Sequence, residues 1–425
     1  MRILILSCRY PADLQRDVQG TFRRFTLFLD ALKAIATLDV LFFVPPQVEV
    51  DYSPVAIATK QQELSAHWNA AINLCLCPQR PVHEEEPRWQ RQLRPVVNFR
   101  EQGTFYPTST AQQVQALEQC LERRPDAIFC HRLESMTPLL QTRRPLPPIF
   151  FDLDDVEHIS FARQIRQPPT RLMTKLYYLQ IPALWWGERQ AMQRAVRTFV
   201  CSQLDQSYLS KRCGLDGVVA IPNAVAIPPE QPPCPDPTLM LIGGYYYYPN
   251  LNAANFLIEQ VWPLVRQARP DARLIIAGTQ PENIRTYSTG APGVEFTGFV
   301  EDLDALYQRS RIVCCPILSG GGTRVKMIEA AAYGKPIVAT RIGAEGLAME
   351  DGRDYLQRNH AESFARACIE LLERDEWCHR LGASARQSAI QQYDRANIVR
   401  TIQSHVELAM DQLLDGTKVY QCEKV

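Results

Sequence analysis

Short apolar runs alternate with longer amphipathic stretches from one end of this chain to the other. In the first half the predicted strands are Arg2–Leu6, Asp39–Val44, Ala127–Cys130, Ile149–Leu153, Thr198–Cys201 and Val218–Ile221. In the second half they are Thr238–Ile242, Ala272–Ala277, Val294–Thr297, Ile312–Pro316 and Lys335–Ala339. Each is rich in Ile, Val, Leu or Phe and bounded by turn formers, the pattern of strands covered on both faces. Between them the spacing predicts helices, among them Thr21–Ala34, Ala111–Arg123, Leu251–Gln267, Leu303–Arg309 and Ala361–Glu373. Strand, helix, strand repeated in this way folds as parallel sheets layered with helices.

A proline-rich segment, Ile227-Pro-Pro-Glu-Gln-Pro-Pro-Cys-Pro-Asp-Pro237, interrupts the alternation. It has little capacity for helix or sheet, so it reads as a stiff connector. The expected organisation is a first domain over 1–222, a connector over 223–237 and a second domain over 238–392. A C-terminal helix over 393–415 is expected to pack back on the first domain, with a tail over 416–425. Two such open sheets bind ligands in a cleft at the carboxyl ends of their strands. The polar stretch 79–102 reads as an irregular excursion of the first domain.

Charge and cysteine usage remove several classes. The 46 basic and 46 acidic side chains cancel, so no overall field favours nucleic acid. The first half is mildly basic and the second mildly acidic, which suits units with different partners. No apolar run approaches the ~18–20 residues of a membrane span, and the opening apolar run is too short for a signal peptide. The 13 cysteines are scattered and form no C-x-x-C. Free thiols in a reducing cytoplasm, with no zinc site, are the expectation.

The densest chemistry lies after the strand ending at Pro316. Gly320-Gly321-Gly322 lets the backbone turn tightly and approach a ligand, Thr323 is a good N-cap, and Arg324–Tyr333 is predicted helical up to Gly334. A helix start offers unpaired N–H groups and partial positive charge, which suit phosphate. Arg324 and Lys326 add two cations where helices ordinarily carry acids, a cost that a bound anion offsets. Glu329 stands roughly 9 Å further along the axis at ~1.5 Å per residue, within reach of a ribose attached to that anion. The plainer reading is a turn followed by a Lys326–Glu329 surface pair worth ~0.2–0.5 kcal/mol.

Gly321-Gly-Thr-Arg-Val-Lys-Met-Ile-Glu329 and its continuation to Gly346 resemble the donor-site signature of family 4 glycosyltransferases. Gly243-Gly244, in the run opening the second domain, and Val294-Glu-Phe-Thr-Gly-Phe-Val-Glu-Asp-Leu303 resemble that family's glycine turn and its nucleobase-holding segment. Thr198-Phe-Val-Cys-Ser202 and Ile221-Pro-Asn-Ala-Val225 resemble its interdomain stretch. The resemblance is dense from about 196 to 350 and thinner before. It implies the α/β GT-B fold, two Rossmann-like parallel-sheet domains facing each other across a cleft. It further implies retaining transfer from a nucleotide diphosphate sugar without a metal or other cofactor.

Carried over by position, Arg324 and Lys326 hold the pyrophosphate and Glu329 the ribose. Gly298, Phe299 and Val300 meet the base, and Gly243, Gly244, Gly320, Gly321, Gly322 and Thr323 line the donor. The family's first motif glutamate would stand at 321, where this chain has Gly321; backbone N–H groups of the glycine turn are expected to take its place. In the first domain His131, ending the run Asp126-Ala-Ile-Phe-Cys-His131, matches a histidine at the donor sugar. A neutral imidazole there donates a hydrogen bond and titrates near physiological pH. Gly20 matches the loop under donor and acceptor. For each of these two, a purely structural role is the competing reading.

Asp152-Leu-Asp154-Asp155 has the look of a metal-binding D-x-D, but such strand-end aspartates more often cap or turn, so Asp154 is expected on the acceptor side without metal. Arg163, Arg166, Arg171 and Lys175 precede the aromatic run to Trp186, and the stretch 163–186 suits peripheral contact with the inner face of a membrane or a lipid-linked acceptor. An ordinary aromatic core is the alternative. Taken together the expectation is a cytoplasmic hexosyltransferase acting on a glycan, polysaccharide or lipid-linked acceptor. A nucleotide-sugar epimerase and a non-catalytic nucleotide-binding partner are the rivals. Donor sugar, base, acceptor and oligomeric state are not legible in the residues.

Overall fold

The computed structural model describes residues 1–14, 20–79, 111–166 and 176–415. The chain divides into two compact units, Met1–Ile221 with Val399–Val425, and Pro222–Ile398.

The first unit carries β1 (Arg2–Ser7), β2 (Thr37–Val44), β3 (Ile72–Pro78), β4 (Ala127–His131), β5 (Ile149–Asp154), β6 (Arg197–Val200) and β7 (Val218–Ala220). They form one sheet in the order β3-β2-β1-β4-β5-β6-β7, every pairing parallel. Ile3, Leu4, Ile5 and Leu6 of β1 are all fully buried, because helices cover both faces of a parallel sheet. From Val399 on, helix Arg395–Leu414 belongs to this unit. There Gln403 donates to the Ala31 carbonyl at 3.2 Å, and Arg197 donates to Gln412 Oε1 at 3.1 Å.

The second unit carries β8 (Thr238–Ile242), β9 (Arg273–Ala277), β10 (Val294–Gly298), β11 (Ile312–Cys315), β12 (Ile337–Ala339) and β13 (Leu356–Gln357). Its sheet runs β10-β9-β8-β11-β12-β13, again wholly parallel. Side chains divide by strand alternation. Leu239, Leu241, Leu274 and Ile276 enter the core layer around Ile258 and Trp262, while Met240, Ile275 and Ala277 enter the layer around Met327 and Ile328.

Three local features differ from the sequence expectation. β3 and β13 were not expected: the first interleaves polar and sulfur residues (Asn73 donates to Asp39 Oδ1 at 2.7 Å), and the second is two residues long. The single helix expected over 251–267 is instead Tyr248–Phe256, a π-turn Leu257–Val261, and Trp262–Ala268. Pro263 has no N–H to give the preceding turn, and the Trp262 N–H reaches back five residues to Leu257. The proline-rich stretch, expected as a connector, packs into the second unit, with Cys234 buried and the Pro228 carbonyl accepting from Arg386 at 2.7 Å.

Candidate active site

Each sheet reverses its strand order once, and at that point the loops leaving neighbouring strands diverge and open a crevice. In the second unit the reversal lies between β8 and β11. Past their carboxyl ends run Gly243-Gly244 and the turn from Pro316 to Arg324.

The two loops are built from glycine for identifiable reasons. A Cβ on Gly243 would stand 2.9 Å from the Asn250 side chain and 3.0 Å from Lys326 Nζ. Gly278, with φ +129°, lies so close that its Cβ would stand 1.7 Å from the Gly243 carbonyl oxygen. Gly320 and Gly322 have φ of +112° and +65°, conformations that L side chains rarely adopt.

Helix Val325–Ala332 starts one residue later than expected, with Arg324 rather than Thr323 at its N-cap and no side-chain cap. Thr323 Oγ1 instead accepts from Asn223 Nδ2 at 2.9 Å, so its hydroxyl ties the turn to the residue after Pro222. Arg324 folds its guanidinium back on the turn, Nη1 donating to the Gly321 and Gly322 carbonyls. Its Nη2 is buried and has no hydrogen-bond partner among the described residues.

Lys326 donates to Asn250 Oδ1 at 2.9 Å. Burial, reinforced by the Arg324 charge, pushes its ammonium down to about 8. Two cations, the helix start and two glycine turns therefore converge where the sheet reverses, and the free protein bears an electrostatic cost that an anion would relieve. Glu329 is partly buried one turn along the same helix. Gly298 ends β10 with φ +69°, its carbonyl held by the Gly278 N–H at 2.8 Å, and Phe299 and Val300 follow, partly buried.

In the first unit the reversal lies between β1 and β4, and there Ser7 Oγ and His131 Nδ1 are 3.0 Å apart. His131 was expected to meet a sugar, yet its imidazole is fully buried, with the Phe25 ring 5.4 Å away. Its Nε2 has no hydrogen-bond partner among the described residues and lies 3.9 Å from Asp152 Oδ2. Burial, together with Arg132, Arg9 and Arg24, holds the imidazole well below its usual pKa, so it stays neutral rather than titrating near pH 7.

Asp152 is clasped by Arg24, whose Nε and Nη2 reach its carboxylate at 2.9 and 2.7 Å, both side chains fully buried. Arg24 also donates to the Ile221 carbonyl at 2.9 Å. Asp154, expected on the acceptor side, lies 3.3 Å from Arg24 and 3.4 Å from Arg132. Arg132 and Asp154 both have positive φ, +66° and +63°, which stores strain at the carboxyl ends of β4 and β5. Among the described residues no group of three His, Cys, Asp or Glu is arranged to hold a metal ion.

Gly20 is exposed at the start of helix Gly20–Lys33, and residues 15–19 before it lie outside the described residues. So do most of the 79–102 excursion and, in the stretch 163–186, Arg171 and Lys175. Of that stretch, Leu179 and Trp185 are exposed. Among the described residues no helix is long and apolar enough to cross a membrane.

Sequence reasoning passed over Arg24, Arg132 and Asn250. The available signal for Arg24 was an arginine inside an otherwise aromatic helix face, in a chain whose β5 ends in two carboxylates. It also passed over a cavity of about 380 Å³ past the ends of β1 and β2, lined by Tyr10, Asp51, Lys60 and Glu63 among others.

Residues 236–374 match the family model described as Glycosyl transferases group 1. A curated Klebsiella pneumoniae protein, an uncharacterized 44.6 kDa protein in the cps region, is 24% identical over 172 residues. That match takes in 39% of this chain and 44% of the relative's length. Among solved structures, Anabaena HepE in complex with UDP and glucose superposes with a TM-score of 0.64 at 14% identity, covering 96% of this chain and 99% of that one. Sucrose-phosphate synthase from Thermosynechococcus elongatus superposes with a TM-score of 0.67 at 16% identity, covering 98% and 99%. The two Rossmann-like parallel-sheet units are those of the GT-B fold, and the family-model match falls within the second unit.

Proposed function

We propose that this protein transfers a glycosyl group from a nucleotide diphosphate sugar to an acceptor hydroxyl, retaining the anomeric configuration as in family 4. The observation that carries the reading is the convergence of Arg324 and Lys326 with the glycine turns at the β8–β11 reversal. As the glycosidic bond breaks, negative charge accumulates on the departing diphosphate. Arg324, Lys326 and the helix N-terminus stabilise it, the part that a divalent ion plays in other transferases. Glu329 is assigned to the ribose, Gly298, Phe299 and Val300 to the base, and Gly243, Gly244 and Gly320–Thr323 to the donor by backbone contact. The buried His131 is assigned a positioning part, holding the end of β1 through Ser7.

The acceptor belongs with the first unit, through Gly20 and the carboxyl edge that Asp154 helps to shape. The printed name of the Klebsiella relative, a protein of a cps region, supports a glycan, polysaccharide or lipid-linked acceptor. Peripheral membrane contact through 163–186, on the cytoplasmic side, is part of the same reading, with exposed Leu179 and Trp185 supporting it.

The test is transfer from a panel of UDP- and GDP-sugars by wild type, Arg324→Ala and Lys326→Ala. Each substitution is expected to lower turnover by ~10²–10³. Full transfer by the double variant overturns the assignment, and donor isomerisation without acceptor replaces it with an epimerase.

A further inference from the structure

We infer that Cys75 and Cys120 form a peroxide-responsive dithiol, which oxidises to a disulfide tying the edge strand β3 to helix Ala111–Leu121. Both residues lie in the first unit and take no part in the proposed transfer. β3 stands at the end of its sheet, beside β2. Strand alternation turns Cys75 and Cys77 to one face, and helix Ala111–Leu121 packs there. Cys77 Sγ reaches the Gln112 carbonyl in the first turn of that helix at 3.8 Å. Near the helix end, the Cys120 thiol hydrogen-bonds the Cys75 sulfur. Cys120 and Leu117 belong to the apolar cluster against which Cys75 packs.

The two thiols differ in access and in charge. Cys120 is only 4% exposed, whereas Cys75 is partly buried. The hydrogen bond from Cys120, helped by the Arg123 charge, brings the Cys75 thiol down to about 7 against the opposing effects of burial and Asp39. The same hydrogen bond, with burial, pushes Cys120 up. Cys75 is therefore suited to attack as a thiolate, with Cys120 beside it to resolve the product. Cys314 and Cys368 also share a thiol–thiol hydrogen bond, but both are fully buried, out of reach of solvent.

In the first step the Cys75 thiolate attacks one oxygen of hydrogen peroxide. An S–O bond forms, the O–O bond breaks, and the departing hydroxide takes a proton and leaves as water. In the second, Cys120 gives up its proton and its sulfur attacks Cys75. The S–S bond forms, the S–O bond breaks and a second water leaves. Two thiols are oxidised and one peroxide is reduced.

Peptide mass spectrometry of the full chain after treatment with hydrogen peroxide tests this, using wild type, Cys75→Ser, Cys120→Ser and Cys213→Ser. Wild type is expected to lose two thiols and yield a peptide pair linked through Cys75 and Cys120, which dithiothreitol separates. Cys120→Ser is expected to stop at a Cys75 sulfenic acid that dimedone captures, and Cys75→Ser to keep its Cys120 thiol. Cys213, the other partly buried cysteine among the described residues, is the control, and Cys213→Ser is expected to crosslink as wild type. Absence of the Cys75–Cys120 link in wild type overturns the inference. So does dimedone capture at Cys75 to the same extent in wild type and Cys120→Ser, because Cys120 would then resolve nothing.

Discussion

The ammonium of Lys326 donates to Asn250 Oδ1 at 2.9 Å, and Asn250 Nδ2 donates to the Gly244 carbonyl at 3.0 Å. A helix that follows β8 thereby aims a cation that follows β11. The neutral amide orients the ammonium without cancelling its charge, which an aspartate in its place would do.

Replacing Asn250 with alanine should therefore weaken pyrophosphate binding about tenfold, the value of a hydrogen bond to a charged group. Asn250→Asp should weaken it at least as much, because its carboxylate competes with the ligand for Lys326. Titration calorimetry on the two variants checks both, and unchanged affinity in either would refute the arrangement.

Lys326 also sets a pH dependence. With its ammonium pushed down to about 8, anion binding should fall as pH rises through about 8, while a bound diphosphate shifts the loss upward. In the free protein the trend reverses. The unfolded lysine keeps its proton to about 10.4, so between about 8 and about 10.4 the unfolded chain binds more protons and the Lys326 contribution to stability rises with pH. The charged and titratable groups acting on the ammonium are Cys315, Arg324 and Glu329. Differences between wild type and Lys326→Met, in pyrophosphate titrations and in thermal melts from pH 7 to 10, should show the two opposite slopes. A flat difference in both is the contrary outcome.

The Arg24–Asp152 pair should be costly to break. Both side chains are fully buried, so Arg24→Met leaves a carboxylate without its main counter-charge and should destabilise the first unit by about 3–5 kcal/mol. Changing Arg24 to Met and Asp152 to Leu together should recover part of that loss, since no charge then stays buried unpaired. Urea unfolding of the single and double variants separates these outcomes; additive losses would contradict the pairing.

A glycine far from the candidate site should be as intolerant as those within it. A Cβ on Gly382, in helix Asp375–Tyr393, would stand 2.2 Å from the Gly334 carbonyl oxygen that ends helix Val325–Ala332. Gly382→Ala is expected to cost about 1–3 kcal/mol through overpacking. Pyrophosphate affinity should fall too, because the helix bearing Lys326 must shift. A thermal melt unchanged from wild type would show that the two helices have room to separate.

Much of the framework was legible because a parallel sheet covered on both faces needs unbroken apolar runs. Eleven such runs were found, and strands occupy all of them. β3 escaped because Asn73, Cys75 and Cys77 break its apolar run, and β13 because two residues carry no periodicity. Near the candidate site the glycine triplet and the Arg324–Lys326 pair stood out because a helix start rarely carries cations without acids.

Local sequence by itself determined the strands, the two glycine turns and the cationic helix start, since each follows from backbone sterics and periodicity within a few residues. Only the tertiary structure decided which groups meet across long separations: Asn250 with Lys326, Cys75 with Cys120, and Arg24 with Asp152. It also placed the His131 imidazole in full burial beside the Phe25 ring. Those outcomes depend on strand order, and strand order is set by the packing of the whole sheet rather than by any segment in it.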